Sequence, residues 1–592
     1  MPQSLSNVLV HIAFSTKGRR AMLRGDELRR EMHNYLGGIS NKLDCPPVIV
    51  GGSDARPTWR LIRLPLARLI HRIAARSVHS CDSEMRVVQI VNMALEWGVT
   101  TTLFTRFSRV TMSAPFGPPV VPPFNPPVVP LFKFPSLGGK DVVAAFDGGL
   151  ITSNGGVTLL GRVERQLGIA DTLARLIADP RIQASVTHRL DDILRARMMA
   201  IAAGYEDGND LDFLRADPGF KLACGRLPSG DNLCSQPTVS RWENAPTLRE
   251  VIRMTYAMVD LYCGSYRRPP LAVILDIDDT CDVAHGNQEL ALFNAHYDER
   301  CFQPIHVYDA ANGRPVAAVL RPGKTPSGKE IRGHLRRLVR RIRAHWPNAR
   351  ITVRGDSHYG RPEVMEWCEA NRLTYIFGLP GNGVLGRLVE RIADDVRVQR
   401  ADAHAEEARL LEDKQADPAL VARATAQADR VRRCTEIRYG AKSWGGERRV
   451  AARIEATRKG LDIRYVVTNQ AGGNAAWLYD TLYCGRGQME NFIKLHKTQL
   501  RSDRTSCRAP LANQVRLLLH TGAYWLLLKV REKIPELLPL AKAEFKTIQM
   551  RLIKLGARIT ETASRVSIAF ASACPEADLF ASLVRCFQSA GP

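Results

Sequence analysis

Short apolar runs alternate with longer helical patterns through the middle of the chain. The apolar runs predict strands, because each is bounded by polar or turn-forming residues and is too short for a buried helix. They fall at 271–275, 305–308, 316–320, 351–353 and 375–379. Helical patterns cover 329–345 and a segment that begins at Pro362. Strands that alternate with helices in this way predict an α/β fold.

Helical patterns dominate both sides of this region. Residues 140–266 are mostly helical, and Thr247 with Glu250 forms a capping box before an apolar run. Residues 400–433 continue as helix, followed by strands at 435–439, 448–456 and 463–467. The tail from residue 511 is expected to be helical.

The first part of the chain follows a different pattern. Polar and apolar residues alternate before residue 53, as in a strand. Residues 53–111 are rich in arginine and lack caps or turn signals, so we expect this segment to be unstructured. A proline tract at 115–135 favours extended polyproline conformation, which makes 112–139 the clearest linker.

The excess of basic over acidic residues indicates what kind of partner the protein binds. Lys and Arg number 83 against 60 Asp and Glu, a net charge of +23. Such an excess favours a polyanion, since each cation that meets a phosphate releases a condensed counterion. A ribosome-associated or membrane-surface protein would share this charge.

Cysteine spacing and hydropathy indicate which cellular compartment the protein occupies. The 13 cysteines form no CxxC pair, which indicates reduced thiols rather than a disulfide or zinc framework. No apolar run is long enough for a membrane span. We therefore expect a soluble cytoplasmic protein without a membrane partner.

Acidic residues end two of the predicted strands. Asp276, Asp278 and Asp279 close the first run, and Asp356 follows the run at 351–353. Carboxylates at the ends of neighbouring buried strands suit a site for two Mg²⁺ ions, which prefer hard oxygen ligands on rigid elements. Taken singly, each Asp also fits a cap or turn residue.

A third acidic residue lies within a patterned segment near residue 490. Arg486 and Glu490 are four positions apart, and Lys497 follows seven positions later. On a regular helix these side chains share one face, with Tyr483 a turn earlier. A carboxylate for metal beside cations for phosphate would explain the face; a solvated charged face is the alternative.

Tyr483, Arg486, Glu490 and Lys497 match the YREK signature of bacterial insertion-sequence transposases of the DDE type. The chain resembles this family from about residue 116 to its end, and is most similar to the branch called transposase DDE domain group 1. The matching strings are FDGGLITSNGGVTLL (146–160), GYEDGND (204–210), SQPTVSRWEN (235–244), LDIDDT (275–280), HGNQ (285–288), RGDSHYGRPEVMEWCE (354–369) and SDRTSCR (502–508).

The resemblance implies an α/β fold with a ribonuclease-H-like catalytic core and a β-rich insertion domain. A proline-rich linker and a mostly helical DNA-end-binding region would precede the core. The implied boundaries are 112–139 for the linker, 140–266 for the DNA-end-binding region, 267–380 and 461–510 for the two parts of the core, 381–460 for the insertion and 511–592 for a helical C-terminal region.

The resemblance also implies the catalytic residues. In such families the first Asp leaves the first core strand, the second leaves the fourth, and the Glu lies on a later helix. This order assigns Asp278, Asp356 and Glu490 as catalytic residues and ligands of two Mg²⁺ ions, with Mn²⁺ as a substitute. Asp276 and Asp279 remain rivals for the first position.

Four further residues are expected to contact DNA. By similarity, Tyr483, Arg486 and Lys497 would contact the phosphates that flank the cut. Trp444 could stack on a base flipped from the DNA end, although a core or surface tryptophan is the favoured interpretation of that position.

The implied function is that of a transposase. It would bind the terminal inverted repeats of an insertion sequence, cleave them by two-metal hydrolysis and join the 3′-hydroxyl ends to target DNA. We expect double-stranded DNA and a second copy of the chain as partners, in a bacterial cytoplasm near the nucleoid. A catalytically inactive DNA-binding derivative and a ribonuclease-H-like nuclease without strand transfer are the alternatives.

Residues 1–52 resemble the start of another enzyme, a single-tyrosine HUH transposase. The expected His-x-His pair is missing after the double glycine at 51–52. We therefore expect residues 1–111 to be a truncated remnant followed by a relic segment, with the functional protein beginning near Met112.

Overall fold

The N-terminal part of the chain forms a small antiparallel sheet. The computed structural model describes Leu9–Ala13, Pro47–Ser53, Arg56–Ile62, Thr102–Phe104, 132–413 and 415–588. The chain divides into two units, Met1–Pro126 and Pro127–Pro592. In the first, β1 (Leu9–Ala13), β2 (Pro47–Ser53), β3 (Arg56–Ile62) and β4 (Thr102–Phe104) pair in the order β2-β3-β1-β4.

Strands β3 and β4 correct part of the prediction for residues 53–111. We expected that segment to be unstructured, but it contributes two strands to the sheet. A period-two pattern is present in β3, where polar residues at 56, 58 and 60 alternate with Pro57, Trp59 and Leu61. The rest of this segment, and residues 112–131 of the predicted linker, lie outside the described residues.

The second unit begins with two short antiparallel strands and continues as helix. Strands β5 (Phe132–Leu137) and β6 (Lys140–Ala144) form an exposed hairpin, and β7 (Leu150–Thr152) follows. The helices are α1 (Val157–Leu167), α2 (Ile169–Ala174), α3 (Leu190–Ala202), α4 (Leu211–Leu214), α5 (Pro218–Ala223), α6 (Gln236–Asn244) and α7 (Leu248–Gly264), with 3₁₀ turns at Gln183–Ser185 and Gly208–Asp210.

Local sequence explains the start of α7. The Thr247 side chain accepts a hydrogen bond from the Glu250 backbone N–H, and the Glu250 carboxylate accepts one from the Thr247 backbone N–H. This arrangement satisfies two N–H groups that a helix start leaves unpaired. The predicted capping box is therefore confirmed.

An eight-stranded mixed sheet forms the centre of the second unit. Its order is β13-β12-β8-β14-β15-β18-β17-β16, and β8, β14 and β15 run parallel. The strands are β8 (Ala272–Asp279), β12 (Ile305–Asp309), β13 (Pro315–Val319), β14 (Arg350–Gly355), β15 (Thr374–Leu379), β16 (Arg430–Tyr439), β17 (Arg448–Thr457) and β18 (Gly460–Thr468). Strands β9 (Asp282–Val283), β10 (Leu292–Asn294) and β11 (Glu299–Phe302) form a separate small sheet.

Two helices connect the parallel strands. Helix α8 (Gly328–His345) lies between β13 and β14, and α9 (Pro362–Ala370) lies between β14 and β15. Residues of α8 spaced three or four positions apart are buried: Ile331, Leu335, Leu338, Val339 and Ile342. This amphipathic pattern confirms the α/β expectation for the middle of the chain.

The predicted insertion is half helical. Its first half forms α10 (Gly383–Glu412) and α11 (Pro418–Asp429), and its second half supplies β16, β17 and the start of β18. These strands extend the central sheet through the antiparallel pairing of β18 with β15. The segment 381–460 is therefore richer in helix than the β-rich insertion domain that we expected.

The segment that carries Glu490 is an irregular helix. It contains a π-helical stretch (Trp477–Tyr483), a 3₁₀ turn (Cys484–Gly487), α12 (Gln488–Lys494) and a second π-helical stretch (Leu495–Gln499). A π turn contains more residues than an α turn, so the spacing of four and seven positions no longer aligns on one stripe. The single helical face that we expected is therefore not formed.

The C-terminal region combines a buried helix with a hairpin. Helix α13 (Pro510–Glu532) is buried along most of its length, and α14 (Phe545–Ile548) follows after a 3₁₀ turn at Pro539–Lys542. A π turn at Gln549–Ile553 leads to β19 (Ala557–Glu561) and β20 (Val566–Phe570), and α15 (Ala577–Cys586) ends the region. Within the described part of the chain, no helix has the length and apolarity to cross a membrane.

The hairpin corrects our prediction of an entirely helical tail. Strand β19 pairs with both β20 and β7, which ties the end of the chain to its helical region. The signal was present in the sequence, because Ala557 and Ile559 are buried while Arg558 and Thr560 are exposed. Such alternation is typical of a strand.

Candidate active site

Two acidic residues meet at the carboxyl ends of adjacent parallel strands. Asp278 lies near the end of β8, and Asp356 directly follows β14, the fourth strand of the central sheet along the chain. Ile277 and Gly355 are register partners, so one further step brings Asp356 beside Asp278. The sheet thereby gathers two side chains that are far apart in sequence.

Burial raises the pKa of two carboxyl groups in the acidic cluster, which consists of Asp278, Asp279 and Asp356. Burial raises the pKa of Asp278 to about 7, opposed by Arg486 and reinforced by the negative charges of Asp356 and Asp279. Burial also raises the pKa of Asp279, and Asp356 adds to the increase. The Asp356 carboxylate accepts a hydrogen bond from the His358 backbone N–H. Without a cation beside them, the charged forms of Asp278 and Asp279 are therefore unfavourable.

Asp276 has a different partner from its neighbours. Its fully buried carboxylate accepts hydrogen bonds of 2.5 and 2.8 Å from Nε and Nη2 of Arg354. Arg354 also donates to the Leu482 carbonyl at 2.6 Å. The pair joins β8 to β14 and to the π-helical stretch, so Arg354 binds both carboxylate oxygens of Asp276, the rival that we considered for the first catalytic position.

Arg486 binds one of the proposed catalytic acids directly. Its Nη1 donates to the Asp278 carboxylate at 2.9 Å. Burial lowers the pKa of Arg486, but Asp278, Tyr483, Asp356 and Glu490 outweigh that effect and raise it. The Tyr483 hydroxyl lies close to Gly378, where a Cβ would come within 2.8 Å of it. The 3₁₀ turn thus directs a cation onto the acidic cluster.

Lys497 lies on the other side of the strand end. Its ammonium donates to the Thr280 hydroxyl at 3.2 Å and to the Cys281 carbonyl, and lies 3.6 Å from the Asp282 carboxylate. Burial raises the pKa of Asp282 to about 7, although Lys497 opposes the increase. Both cations of the signature are therefore bound to acidic or carbonyl oxygens of the chain itself.

Glu490 is the most exposed of the three proposed catalytic acids. It lies in the first turn of α12, where its charge contributes to the raised pKa of Arg486. Across the described residues, no group of three or more His, Cys, Asp or Glu side chains is arranged to hold a metal ion. Glu490 is thus connected to Asp278 through Arg486 rather than placed directly against it.

The acidic cluster nevertheless fits a hard divalent cation. Asp278 and Asp356 offer carboxylate oxygens at adjacent strand ends, and their mutual repulsion would be relieved by positive charge. The Oδ2 atom of Asp279 is buried without a hydrogen-bond partner. These residues would hold such an ion, with Glu490 as the remaining candidate ligand.

Trp444 is engaged in packing. Its ring meets Tyr439 edge-on at a centroid distance of 5.4 Å, and the Arg448 guanidinium lies 5.3 Å from the ring centroid. The side chain is half-buried in the turn between β16 and β17. These contacts agree with a structural tryptophan.

Sequence reasoning missed the partners that hold the site together. Arg354, Asp282 and Tyr359 were not selected, although Tyr359 is fully buried and its pKa is raised by burial and by the nearby carboxylates. Arg354 could have been found, because an arginine inside a buried strand requires a carboxylate partner. The pairing of Lys497 with Asp282 has no comparable sequence signal.

Comparison with known proteins agrees with the sequence resemblance. The family described as Transposase DDE domain group 1 matches residues 134–592. No curated protein matches the chain significantly. A solved structure of piggyBac transposase in a synaptic complex with hairpin DNA is 10% identical, with a TM-score of 0.32 over 67% of this chain and 79% of that chain. A structural similarity of this size adds no weight to the family match.

Proposed function

Because the chain belongs to the transposase DDE domain group 1 family, we propose that it cleaves DNA at the ends of an insertion sequence and joins those ends to target DNA. Asp278, Asp356 and Glu490 are the proposed catalytic residues. They would hold two divalent cations, Mg²⁺ or Mn²⁺, which supply Lewis acidity for phosphodiester hydrolysis and transfer when bound. The proposed core is ribonuclease-H-like.

The observation that carries this proposal is the meeting of Asp278 and Asp356. Asp278 lies near the end of β8 and Asp356 directly follows the parallel strand β14, and the charge of Asp356 adds to the rise that burial causes in the pKa of Asp278. Rigid strands hold them in place, which a site that positions a phosphodiester requires. A cap or turn role does not explain why buried carboxyl groups repel each other at this point.

The cations of the signature complete the proposed site. Arg486 and Lys497 are positioned at either side of the acidic strand end by their present partners. In a DNA complex, the phosphates that flank the cut would replace these internal oxygens as partners, because guanidinium and ammonium groups bind phosphate strongly. Tyr483 would contact the same backbone, and a second copy of the chain would hold the second DNA end.

The test is an incubation of linear DNA, containing the gene and its flanking sequence, with the full chain and Mg²⁺ or Mn²⁺. Cleavage followed by joining to a second DNA supports the proposed transposase. Cleavage without joining would instead identify a nuclease, and a gel shift without cleavage would identify an inactive DNA-binding derivative.

A further inference from the structure

Helix α8 carries a row of cations on one flank. Lys329, Arg332, Arg336 and Arg340 are spaced three or four positions apart, so they lie on the same side of the helix. All four side chains are exposed. We call these four residues the basic flank. The only acidic residue of α8, Glu330, lies away from this flank and binds Arg321.

The charges of the basic flank are not neutralised within the described protein. None of its four residues forms an ion pair or hydrogen bond with another residue that the structure describes. The insertion differs in part, because several arginines there are paired with carboxylates. Those pairs include Arg397 with Asp394, Arg433 with Asp395 and Arg449 with Glu436. An unpaired cationic row of this kind favours a polyanionic partner.

The basic flank begins beside the acidic cluster. Arg321, which donates to Glu330 in the first turn of α8 at 2.8 Å, also lowers the pKa of Asp279. A Cβ at Gly328 would meet the Cβ of Arg361 at 2.9 Å, five positions after Asp356. From Lys329 to Arg340 the helix extends about 16 Å, at 1.5 Å per residue. The row therefore leads from the candidate active site along the protein surface.

We propose that the basic flank of α8 binds the sugar-phosphate backbone of the duplex DNA that leads into the acidic cluster. This inference rests on the proposed function and deepens it by assigning a DNA-binding surface. Exposed arginines on a helix packed against a sheet can contact phosphates without entering a groove. Such contacts fix the position of the duplex and carry no sequence information.

The test replaces Arg332, Arg336 and Arg340 together with glutamine in the full chain. Fluorescence anisotropy would measure binding to duplex DNA from the gene's flanks, and to a scrambled duplex of equal length, over a range of salt concentrations. We expect weaker binding to both duplexes. The slope of log affinity against log salt should decrease in magnitude by about 2 to 3, since each lost phosphate contact removes roughly 0.9.

The matched control replaces Arg387, Arg391 and Arg397 of α10 with glutamine, which removes the same charge from a helix with interspersed acids. Circular dichroism would verify the fold of both variants. An unchanged slope in the α8 variant, or an equal loss of slope in the control variant, would overturn the inference. The proposed function would still stand in that case if the wild-type chain binds and cleaves the DNA. Wild-type protein that binds neither duplex would refute both.

Discussion

Neighbouring aspartates in β8 have unlike roles because their partners differ. Asp276 is paired with Arg354 in the interior, whereas Asp278 meets Asp356 and Arg486 at the strand end. Period-two alternation puts both side chains on one face of the strand, so the pattern left both as candidates. The neighbouring strand β14 distinguishes them. Arg354 of this strand binds Asp276, and Asp356, which follows the strand, lies beside Asp278.

Asp278→Asn should abolish DNA cleavage without unfolding the protein. The substitution removes a carboxyl group whose pKa burial raises to about 7, which means that the folded protein disfavours its charged form. The free energy of unfolding should therefore stay constant or increase. Asp276→Asn is the matched variant. Burial raises the pKa of Asp276 as well, but this substitution leaves the buried Arg354 without its carboxylate partner and should therefore cost about 3–5 kcal/mol of stability. Urea denaturation and cleavage assays measure both effects; a stable Asp276→Asn protein beside an active Asp278→Asn protein would reverse the assignment.

Metal affinity should depend on pH through the same carboxyl group. With its pKa raised to about 7, Asp278 is mostly protonated below that pH, and a cation must displace the proton to bind. Mn²⁺ affinity should therefore increase as pH rises towards about 7 and level off above it. Calorimetric titration in buffers of different ionisation enthalpy detects the released proton, and binding without proton release at about pH 6 would be inconsistent with this prediction.

At the scale of elements, a buried ion network joins three helices. Glu243 of α6 accepts hydrogen bonds from Arg197 of α3 at 3.1 Å and from Arg516 of α13 at 2.7 Å. Arg197 and Glu243 are almost fully buried. The network fixes the C-terminal helix against the helical region, where apolar packing alone would allow several orientations.

Removing the shared carboxylate should destabilise the whole second unit. Glu243→Gln leaves two guanidinium groups without a counter-charge, at a cost of about 3–5 kcal/mol. Glu406→Gln, which alters the exposed pair with Arg409 on α10, is the control and should have little effect. Urea denaturation followed by circular dichroism compares them. Equal midpoints for the two variants would show that the network contributes no stability.

Much of the second unit could be predicted from local patterns. The apolar runs located β8, β12, β13, β14 and β15 because each strand is buried and short, and the capping box located α7. Local periodicity failed where the backbone departs from a regular helix, as in the π-helical stretches on both sides of α12. The alternation within β19 is such a local pattern, but it does not predict the partner β7, which lies about 400 positions earlier in the sequence.

The sequence predicted the acidic residues of the candidate site but not the contacts that other side chains make with them. Asp278 and Asp356 could be proposed from strand ends and family resemblance, but the ion pair of Arg486 with Asp278 depends on the 3₁₀ turn at Cys484–Gly487. The signature spacing predicted one face on a straight helix. The observed turns place the cations against the strand end and leave Glu490 exposed.

At the scale of the whole molecule, the family match and the second unit begin at nearly the same residue. The match starts at residue 134, and the second unit starts at Pro127. A chain that begins at Met112 should therefore bind and cleave DNA as well as the full chain. Anisotropy and cleavage assays on the two proteins test this, and lost binding in the shorter chain would assign residues 1–111 a function.

The most direct test of the central claim is the cleavage rate of Glu490→Gln on DNA that contains the gene's flanks, in Mn²⁺, with the wild-type chain measured in parallel. Glu490 is exposed and near Arg486, so glutamine should preserve the fold. We expect a rate reduced by at least about a hundredfold, since even the loss of residues that only support metal ligands can cost that much. Cleavage at the wild-type rate would contradict a catalytic site built from Asp278, Asp356 and Glu490.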